Sequence, residues 1–118
     1  MRFSLVSVGD DLTRIRCEGE ITMNDLAQSR DPIEDLLGPA IFRQTVLLDL
    51  GSTSYIDSSG ISYLLGVNKR FKPTGGRLVL HSAPPSVMQV FKLLKINTVM
   101  QIVADEAEAR RLVQGAPA

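Results

Sequence analysis

Alternating polar and apolar residues near the start of the chain predict a two-stranded antiparallel hairpin. Residues 3–8 are rich in apolar side chains, and turn-forming residues follow from Gly9. In the next stretch Ile15 and Cys17 alternate with charged neighbours. This alternation is typical of a strand with one solvent-exposed face. We expect the second strand of the hairpin to end at Gly19.

The remainder of the chain alternates short apolar runs with amphipathic stretches, which predicts parallel strands joined by helices. Three apolar runs indicate strands: residues 46–50, 78–80 and 99–103. Three stretches with helical spacing indicate helices: residues 58–72, a stretch opened by Pro84-Pro85, and a stretch that begins near Asp105. We expect the inner face of the second helix to include Val87, Val90, Phe91 and Leu94, and that of the third Ala109, Leu112 and Val113.

Helix-start and helix-stop signals predict one further, short helix. Asp31 stands at the cap position, Pro32 at the first helical position and Glu34 three residues after the cap. Gly38-Pro39 is expected to end this helix. Near the C-terminus, Glu106 and Arg110 have the spacing of an ion pair within a helix.

These elements predict an α/β fold with a mixed four- to five-stranded sheet and helices packed mainly on one face. The strand near residues 46–50 is expected at the centre, because it is almost entirely apolar. We expect a single domain over residues 1–118 with its core at about 3–113 and a short flexible tail from Gln114.

Composition excludes several classes of function. The formal net charge is zero, whereas nucleic-acid binders carry an excess of Lys and Arg, so direct DNA or RNA binding is not expected. No apolar run is long enough for a membrane span, and no signal peptide is evident. The single cysteine, Cys17, has no partner for a disulfide or a metal site and is expected in the core. These features indicate a cytoplasmic protein.

The most informative segment is the expected junction between the central strand and the helix that follows it. A polar loop is predicted after the strand, ending at Asp57-Ser58-Ser59-Gly60, where the helix begins. Helix N-termini expose unpaired N–H groups and a partial positive charge, so a phosphate on a serine there would be well received. Asp and Ser are also the preferred N-cap residues, so the same four residues are compatible with ordinary capping.

Residues 48–65, with Asp57-Ser58-Ser59-Gly60 at their centre, resemble the signature of the STAS family, best known from bacterial anti-sigma-factor antagonists. Gly19-Glu20-Ile21 resembles the family's turn after its second strand, and Gly75-Gly76 resembles its turn into a later strand. The likeness extends over about residues 3–113. It implies the STAS fold and a protein-binding switch.

The resemblance also implies partners and residue roles. The anti-sigma factor, an ATP-dependent serine kinase, would phosphorylate Ser59, and a PP2C-like phosphatase would remove the phosphate. The unphosphorylated protein would bind the anti-sigma factor and release a sigma factor. Partner-binding residues carried over by position are Asp57, Ser58, Ser59, Gly60, Glu20 and Thr22. Asp57 and Ser58 would shape the turn, and Gly60 would allow close approach of the partner.

The chain departs from the family pattern in two places. Thr22 stands where the family turn usually carries Asp, so the efficiency of phosphorylation is open, and Asn24 or Asp25 could take over part of that role. The interrupted stretch at residues 31–39 replaces an uninterrupted first helix and could alter the choice of partner.

Other residues that suggest chemistry are better explained by structure. His81 lacks an identifiable nucleophile and acid, Asp49 is expected to pair with an arginine or cap a loop, and Lys69, Arg70 and Lys72 complement the dipole at a helix end. Without a phosphate-binding loop, metal-ligand spacing or a nucleophile–base pair, we expect no enzymatic activity, cofactor or metal. The alternative function is an accessory STAS subunit of an ABC-type lipid transporter or of a stress-sensing assembly.

Overall fold

A five-stranded mixed sheet forms the centre of the computed structural model, which describes residues 2–9, 12–23 and 31–114. The strands lie in chain order across the sheet: β1 (Arg2–Val8), β2 (Leu12–Ile21), β3 (Thr45–Ile56), β4 (Arg77–His81) and β5 (Gln101–Val103). β1 pairs antiparallel with β2, and all other pairs are parallel. The predicted hairpin, the mixed sheet and the central strand are confirmed.

Helices pack on both faces of this sheet, with more helices on one face than on the other. The described α-helices are α1 (Pro32–Leu37), α2 (Ser58–Phe71), α3 (Pro85–Leu93) and α4 (Glu106–Gln114), and 3-10 turns span Pro39–Arg43, Lys72–Thr74 and Ile96–Thr98. Helices α1, α2 and α3 contribute to the larger core, and α4 packs on the opposite face against a smaller one. The prediction that helices pack mainly on one face is therefore confirmed. Within the described ranges, no helix combines the length and the apolar character of a membrane span.

The central strand β3 is buried on both faces because its apolar residues alternate between the two cores. Val46, Leu48 and Leu50 point into the larger core, whereas Leu47 joins Val79 of β4 and Ala109 of α4 in the smaller one. A nearly continuous apolar run is the expected sequence of a strand covered on both sides.

Two strands are longer than predicted, and this changes the geometry of the site. β2 continues through Gly19, which adopts a φ of 87° beside an irregularity in strand register. β3 continues to Ile56, where a loop was predicted. The polar residues are accommodated because β2 and β3 pair in parallel along this extension, and the buried Thr53 hydroxyl donates to the Cys17 carbonyl (3.0 Å). Both strands therefore end side by side immediately before α2.

The predicted helix signals are confirmed. Asp31 caps α1 by accepting from the Glu34 N–H (3.1 Å), and Gly38, with φ 81°, follows its last residue. In α4, Arg110 pairs with Glu106 at 2.8 Å.

Three assignments near the helix ends were wrong. Leu94 is half-exposed because α3 ends at Leu93, before the apolar stripe can continue. Leu112 is also partly exposed, since the smaller core is narrow and takes only Ala109 and Val113 from α4. Gln114, predicted to begin the tail, is the last residue of α4, and the tail beyond it lies outside the described residues.

Candidate functional site

The predicted polar turn lies at the carboxyl edge of the parallel strands. Ile21 at the end of β2 pairs in register with Ile56 at the end of β3, and the Asp57 N–H donates to the Ile21 carbonyl (3.2 Å). Glu20 lies opposite Tyr55 in the same register and is exposed. Thr22 is the next residue after Ile21, so the two strands bring Glu20 and Thr22 to the turn.

Asp57 is the N-cap of α2. Its Oδ1 accepts from the Gly60 N–H (2.9 Å) and its Oδ2 from the Met23 N–H (3.2 Å), which joins the end of β2 to the start of the helix. The Gly60 hydrogen bond is the largest cause of a lowered Asp57 pKa, partial desolvation opposes it, and the Met23 and Ser59 N–H groups add to it. Asp57 is therefore a fixed negative charge at the turn.

Neither serine side chain of the turn takes part in capping. Ser58 is exposed and Ser59 is partly exposed in the first turn of a helix of 14 residues. Among the described residues, neither hydroxyl has a hydrogen-bond partner, and the side chain that caps the helix is that of Asp57. Ordinary capping thus accounts for Asp57 and leaves the two hydroxyl groups available.

Gly60 has an internal role. It is buried, and a Cβ added to it would lie 2.5 Å from the Ile21 carbonyl oxygen and 2.6 Å from Ile56 Cγ1. Such distances are too short for non-bonded atoms, so only glycine lets α2 approach the ends of β2 and β3 this closely. A contact between Gly60 and a partner stays a prediction.

Two large apolar side chains that were not predicted as site residues flank the turn. Met23 is 66% exposed and Tyr55 is 52% exposed. Met23 reaches the turn through its N–H bond to Asp57, and Tyr55 lies two residues before it. A tyrosine within the polar stretch at residues 51–58 was the available signal, but it indicates a surface position only once that stretch is known to be a strand.

Two acidic residues, Glu20 and Asp57, lie at the turn within the described ranges. The first cation of α2 is Lys69, ten residues beyond Ser59 and about 15 Å along the helix axis. A phosphate on Ser59 would therefore be received by helix N–H groups without a cation from its own helix.

The sequence of the chain matches the model of one protein family. The STAS domain model aligns with residues 5–109, which is most of the chain. The chain belongs to the STAS domain family. The resemblance stated from the sequence is confirmed.

Relatives of this STAS chain include regulators of sigma factors. The anti-sigma F factor antagonist of Lysinibacillus sphaericus is 29% identical over 115 residues, 95% of each chain. Among solved structures, SpoIIAA in its unphosphorylated form has a TM-score of 0.71 at 28% identity, covering 99% of this chain and 100% of that one. The phosphorylated form of SpoIIAA from Bacillus has a TM-score of 0.64 at 25% identity, covering 94% and 99%.

The structure describes Thr22, which stands where the STAS turn usually carries Asp. Thr22 lies between Ile21 and Met23, both of which contact the turn. Asn24 and Asp25, the suggested substitutes for a family aspartate, lie outside the described residues.

The short helix α1 is joined to α2 of the STAS fold by a polar network. Tyr63 donates from its hydroxyl to Asp31 (2.7 Å), and Arg70 pairs with Asp31 (2.6 Å) and Glu34 (2.5 Å) and lies 4.0 Å from the centre of the Phe42 ring. Burial is the main cause of a Tyr63 pKa above its usual range, and the Asp31 carboxylate adds to it. Arg70 was predicted as a dipole complement, but its main contacts are these two carboxylates.

His81 has polar neighbours that no sequence motif indicates. Its Nδ1 lies 2.8 Å from Ser82 Oγ, and Asp49 is its partner in strand register. Only 2% of His81 is exposed, and both Asp49 oxygens are engaged, one with the Gly51 N–H and the other with Arg16. A substrate therefore cannot reach the imidazole, and Asp49 pairs with an arginine as predicted.

Cys17 is fully buried in the larger core, as predicted.

Proposed function

We propose that this protein is an anti-sigma-factor antagonist whose binding is controlled by phosphorylation of Ser59. The observation that carries the proposal is the Ser59 side chain, which is partly exposed in the first turn of α2 and is not used by the helix cap. The names of its relatives support the same role, because the L. sphaericus protein is an anti-sigma F factor antagonist and SpoIIAA is known in both phosphorylation states.

In this proposal the unphosphorylated turn is a docking surface for the anti-sigma factor. Met23 and Tyr55 provide apolar contact area, and Glu20, Thr22, Asp57 and Ser58 form its polar surround. Tyrosine is enriched among the interface residues that contribute most to affinity. When the anti-sigma factor binds here, it releases its sigma factor, and transcription from the corresponding promoters begins.

Phosphorylation would end this binding by electrostatics, without a rearrangement of the fold. A phosphate adds roughly −1.5 to −2 charge, and it would stand beside Asp57 and Glu20. The docked partner would have to desolvate this charge, which commonly costs a few kcal/mol. Helix N–H groups would still receive the phosphate favourably, so the fold itself is not opposed to it.

The partners are those that the family implies. The anti-sigma factor acts as the ATP-dependent serine kinase, and a PP2C-like phosphatase restores Ser59. The protein supplies no catalytic group, cofactor or metal to either reaction, and the exchange takes place in the bacterial cytoplasm. The relatives give no support to an accessory subunit of a lipid transporter, since those named here are antagonists or forms of SpoIIAA.

The test compares Ser59→Ala and Ser59→Asp with the wild-type protein in calorimetric titrations with the anti-sigma kinase. Ser59→Ala should bind like the wild type, because it removes only a hydroxyl group. Ser59→Asp should bind roughly a hundredfold more weakly, because it places a fixed charge on the docking surface.

Ser58→Ala is the matched control for phosphorylation. After incubation with the kinase and ATP, phosphate should be found on the wild type and on Ser58→Ala but not on Ser59→Ala. Equal affinities for all proteins, or phosphate on Ser58, would contradict the proposal and leave Asp57-Ser58-Ser59-Gly60 as a helix cap alone.

A further inference from the structure

The formal net charge of zero conceals a separation of charge between the two edges of the sheet. Acidic residues gather where the parallel strands end and α2 and α4 begin: Glu18, Glu20, Asp57, Asp105 and Glu108. Basic residues gather where the parallel strands begin and the helices end: Arg43, Lys69, Lys72, Arg77, Lys92 and Lys95. We call this second set the basic end. The arrangement follows from parallel strands and crossover helices, which bring helix C-termini, with their preference for cations, to one edge.

The cations of the basic end are not neutralised by the described part of the chain. The carboxylates of Asp31, Glu34, Asp49 and Glu106 are paired with arginines. Among the described residues, Arg77 is the one member of the basic end whose side chain has a hydrogen-bond or ion-pair partner. Arg77 donates to Gln101 (2.6 Å), a neutral side chain. The basic end is therefore a positive surface.

Exposed apolar side chains accompany these cations. Leu93 is 78% exposed and Val99 is 56% exposed, and Leu94 beside them is half-exposed. Lys92 and Lys95 flank the two leucines in sequence. Apolar surface with a charged rim is the usual appearance of a protein interaction site.

A cavity of about 350 Å³ lies beside Val99 and beside two residues of the basic end, Lys72 and Arg77, whereas Leu93 and Leu94 do not line it. Lys72, Arg77, Val99 and Gln101 line it together with Asn68, whose amide donates to the Val99 carbonyl (3.3 Å). The cavity thus offers apolar contact at Val99 and positive charge at Lys72 and Arg77. It has the size and chemistry to receive one apolar side chain of a segment that also carries carboxylates.

We infer that the basic end is a second docking surface, which binds an acidic protein segment with an apolar anchor side chain. Charge complementarity selects the acidic partner, and the cavity selects a protruding side chain over a flat lipid surface. Exposed leucines do not suit a polyphosphate chain, which argues against nucleic acid. This inference is independent of the proposed function, because α2 separates Ser59 from Lys69 by about 15 Å and from Lys72 by about 20 Å along the helix axis.

The test is a titration of the isotope-labelled full chain, followed by amide chemical shifts. The probe is a synthetic peptide of glutamates with leucine at helical spacing, compared with one that has serine in place of leucine and one that has lysine in place of glutamate. We expect only the first peptide to bind, with shifts at Asn68, Lys72, Val99 and Gln101 and none at the start of α2. Its affinity should fall as salt is raised.

Substitutions provide the matched controls. Lys72→Glu and Leu93→Ser should each weaken binding of the peptide by about tenfold or more, and both positions are exposed, so the fold should persist. Arg2→Glu makes the same change of charge at an exposed site on the other edge and should leave the affinity unchanged. Ser59→Asp should also bind the peptide normally, which separates this test from that of the proposed function.

Three outcomes would overturn the inference. The first is that the wild type and Lys72→Glu bind the peptide with equal affinity. The second is that the protein binds phosphatidylserine vesicles or duplex DNA more tightly than the peptide. The third is that the protein self-associates head to tail and that Lys72→Glu abolishes this association. The last would make the acidic edge of a second copy the occupant.

Discussion

Tyr55 shows how much one residue depends on the strand that carries it. In a loop, the position of Tyr55 would not be fixed. Because β3 extends to Ile56, Tyr55 is held on the surface beside the turn. On the proposed docking surface its ring would meet a partner at little entropic cost, because the strand already fixes its backbone.

We expect Tyr55→Ala to weaken binding of the anti-sigma factor by about tenfold or more, with little change in stability, because half of the side chain is already exposed. The control is Leu93→Ala, an exposed apolar side chain at the opposite edge, which should bind normally. Calorimetric titration measures both. Unchanged affinity of Tyr55→Ala would remove this side chain from the docking surface.

His81 predicts how stability depends on pH. It is the only histidine of the chain, and burial is the main cause of a pKa below its usual 6.5. Across the strands and from α4, the carboxylates of Asp49, Glu106 and Asp105 oppose this lowering, and Arg14 adds to it. The folded state therefore favours the neutral imidazole, and the unfolded state takes up a proton first as the pH falls.

The free energy of unfolding should accordingly decrease as the pH is lowered through 6.5 towards the folded-state pKa, and recover as the pH is raised. Urea titrations across this range should show the decrease in the wild type and a weaker dependence in His81→Gln. A single imidazole resonance gives the folded-state pKa directly. An equal pH dependence of both proteins would show that other groups are responsible.

At the scale of elements, α2 carries two glycines with opposite roles. Gly60 is in close approach to Ile21 and Ile56, whereas a Cβ added at Gly66 would meet nothing within 4 Å. Glycine in a helix interior lowers stability by roughly 0.5–1 kcal/mol relative to alanine. At Gly60 the close approach of the strands requires glycine, whereas at Gly66 there is room for a methyl group.

Gly60→Ala should therefore lower the free energy of unfolding by about 1–3 kcal/mol, since a backbone carbonyl lies in the way. Gly66→Ala should raise it by about 0.5–1 kcal/mol. Urea denaturation of the two variants and the wild type measures these changes in the free energy of unfolding. Similar effects at both positions would mean that α2 can shift away from the strand ends without cost.

Periodicity predicted which elements exist but not where the polar strands end. The apolar run of β3 and the caps Asp31 and Asp57 were identifiable because each follows from local chemistry. The extension of β3 through Ser52 and Thr53 was not, because its polar groups are satisfied by the neighbouring strand, as in the Thr53 bond to Cys17. The arginine partners of Asp31 and Glu34 likewise depend on tertiary contacts.

At the scale of the whole molecule, the residues of the polar turn could be predicted from the sequence, but the residues that surround it in the candidate site could not. The motif placed Asp57, Ser59 and Gly60 at the start of a helix, where the structure has them, whereas Met23 reaches the turn only through the parallel pairing of β2 and β3. The basic end has no signature in composition, since the formal charges cancel. Chain topology alone gathers its residues at one edge.

The separation of charge also bears on how fast partners meet this protein. A molecule with opposite charges at its two ends is turned by the field of an approaching partner, so productive encounters depend on orientation and not on net charge. Phosphorylation of Ser59 would add roughly −1.5 to −2 charge to the end that is already acidic, enlarging the dipole without moving the fold. An anionic partner of the acidic edge would then associate more slowly and a cationic partner more quickly, and both changes would fade as ionic strength rises.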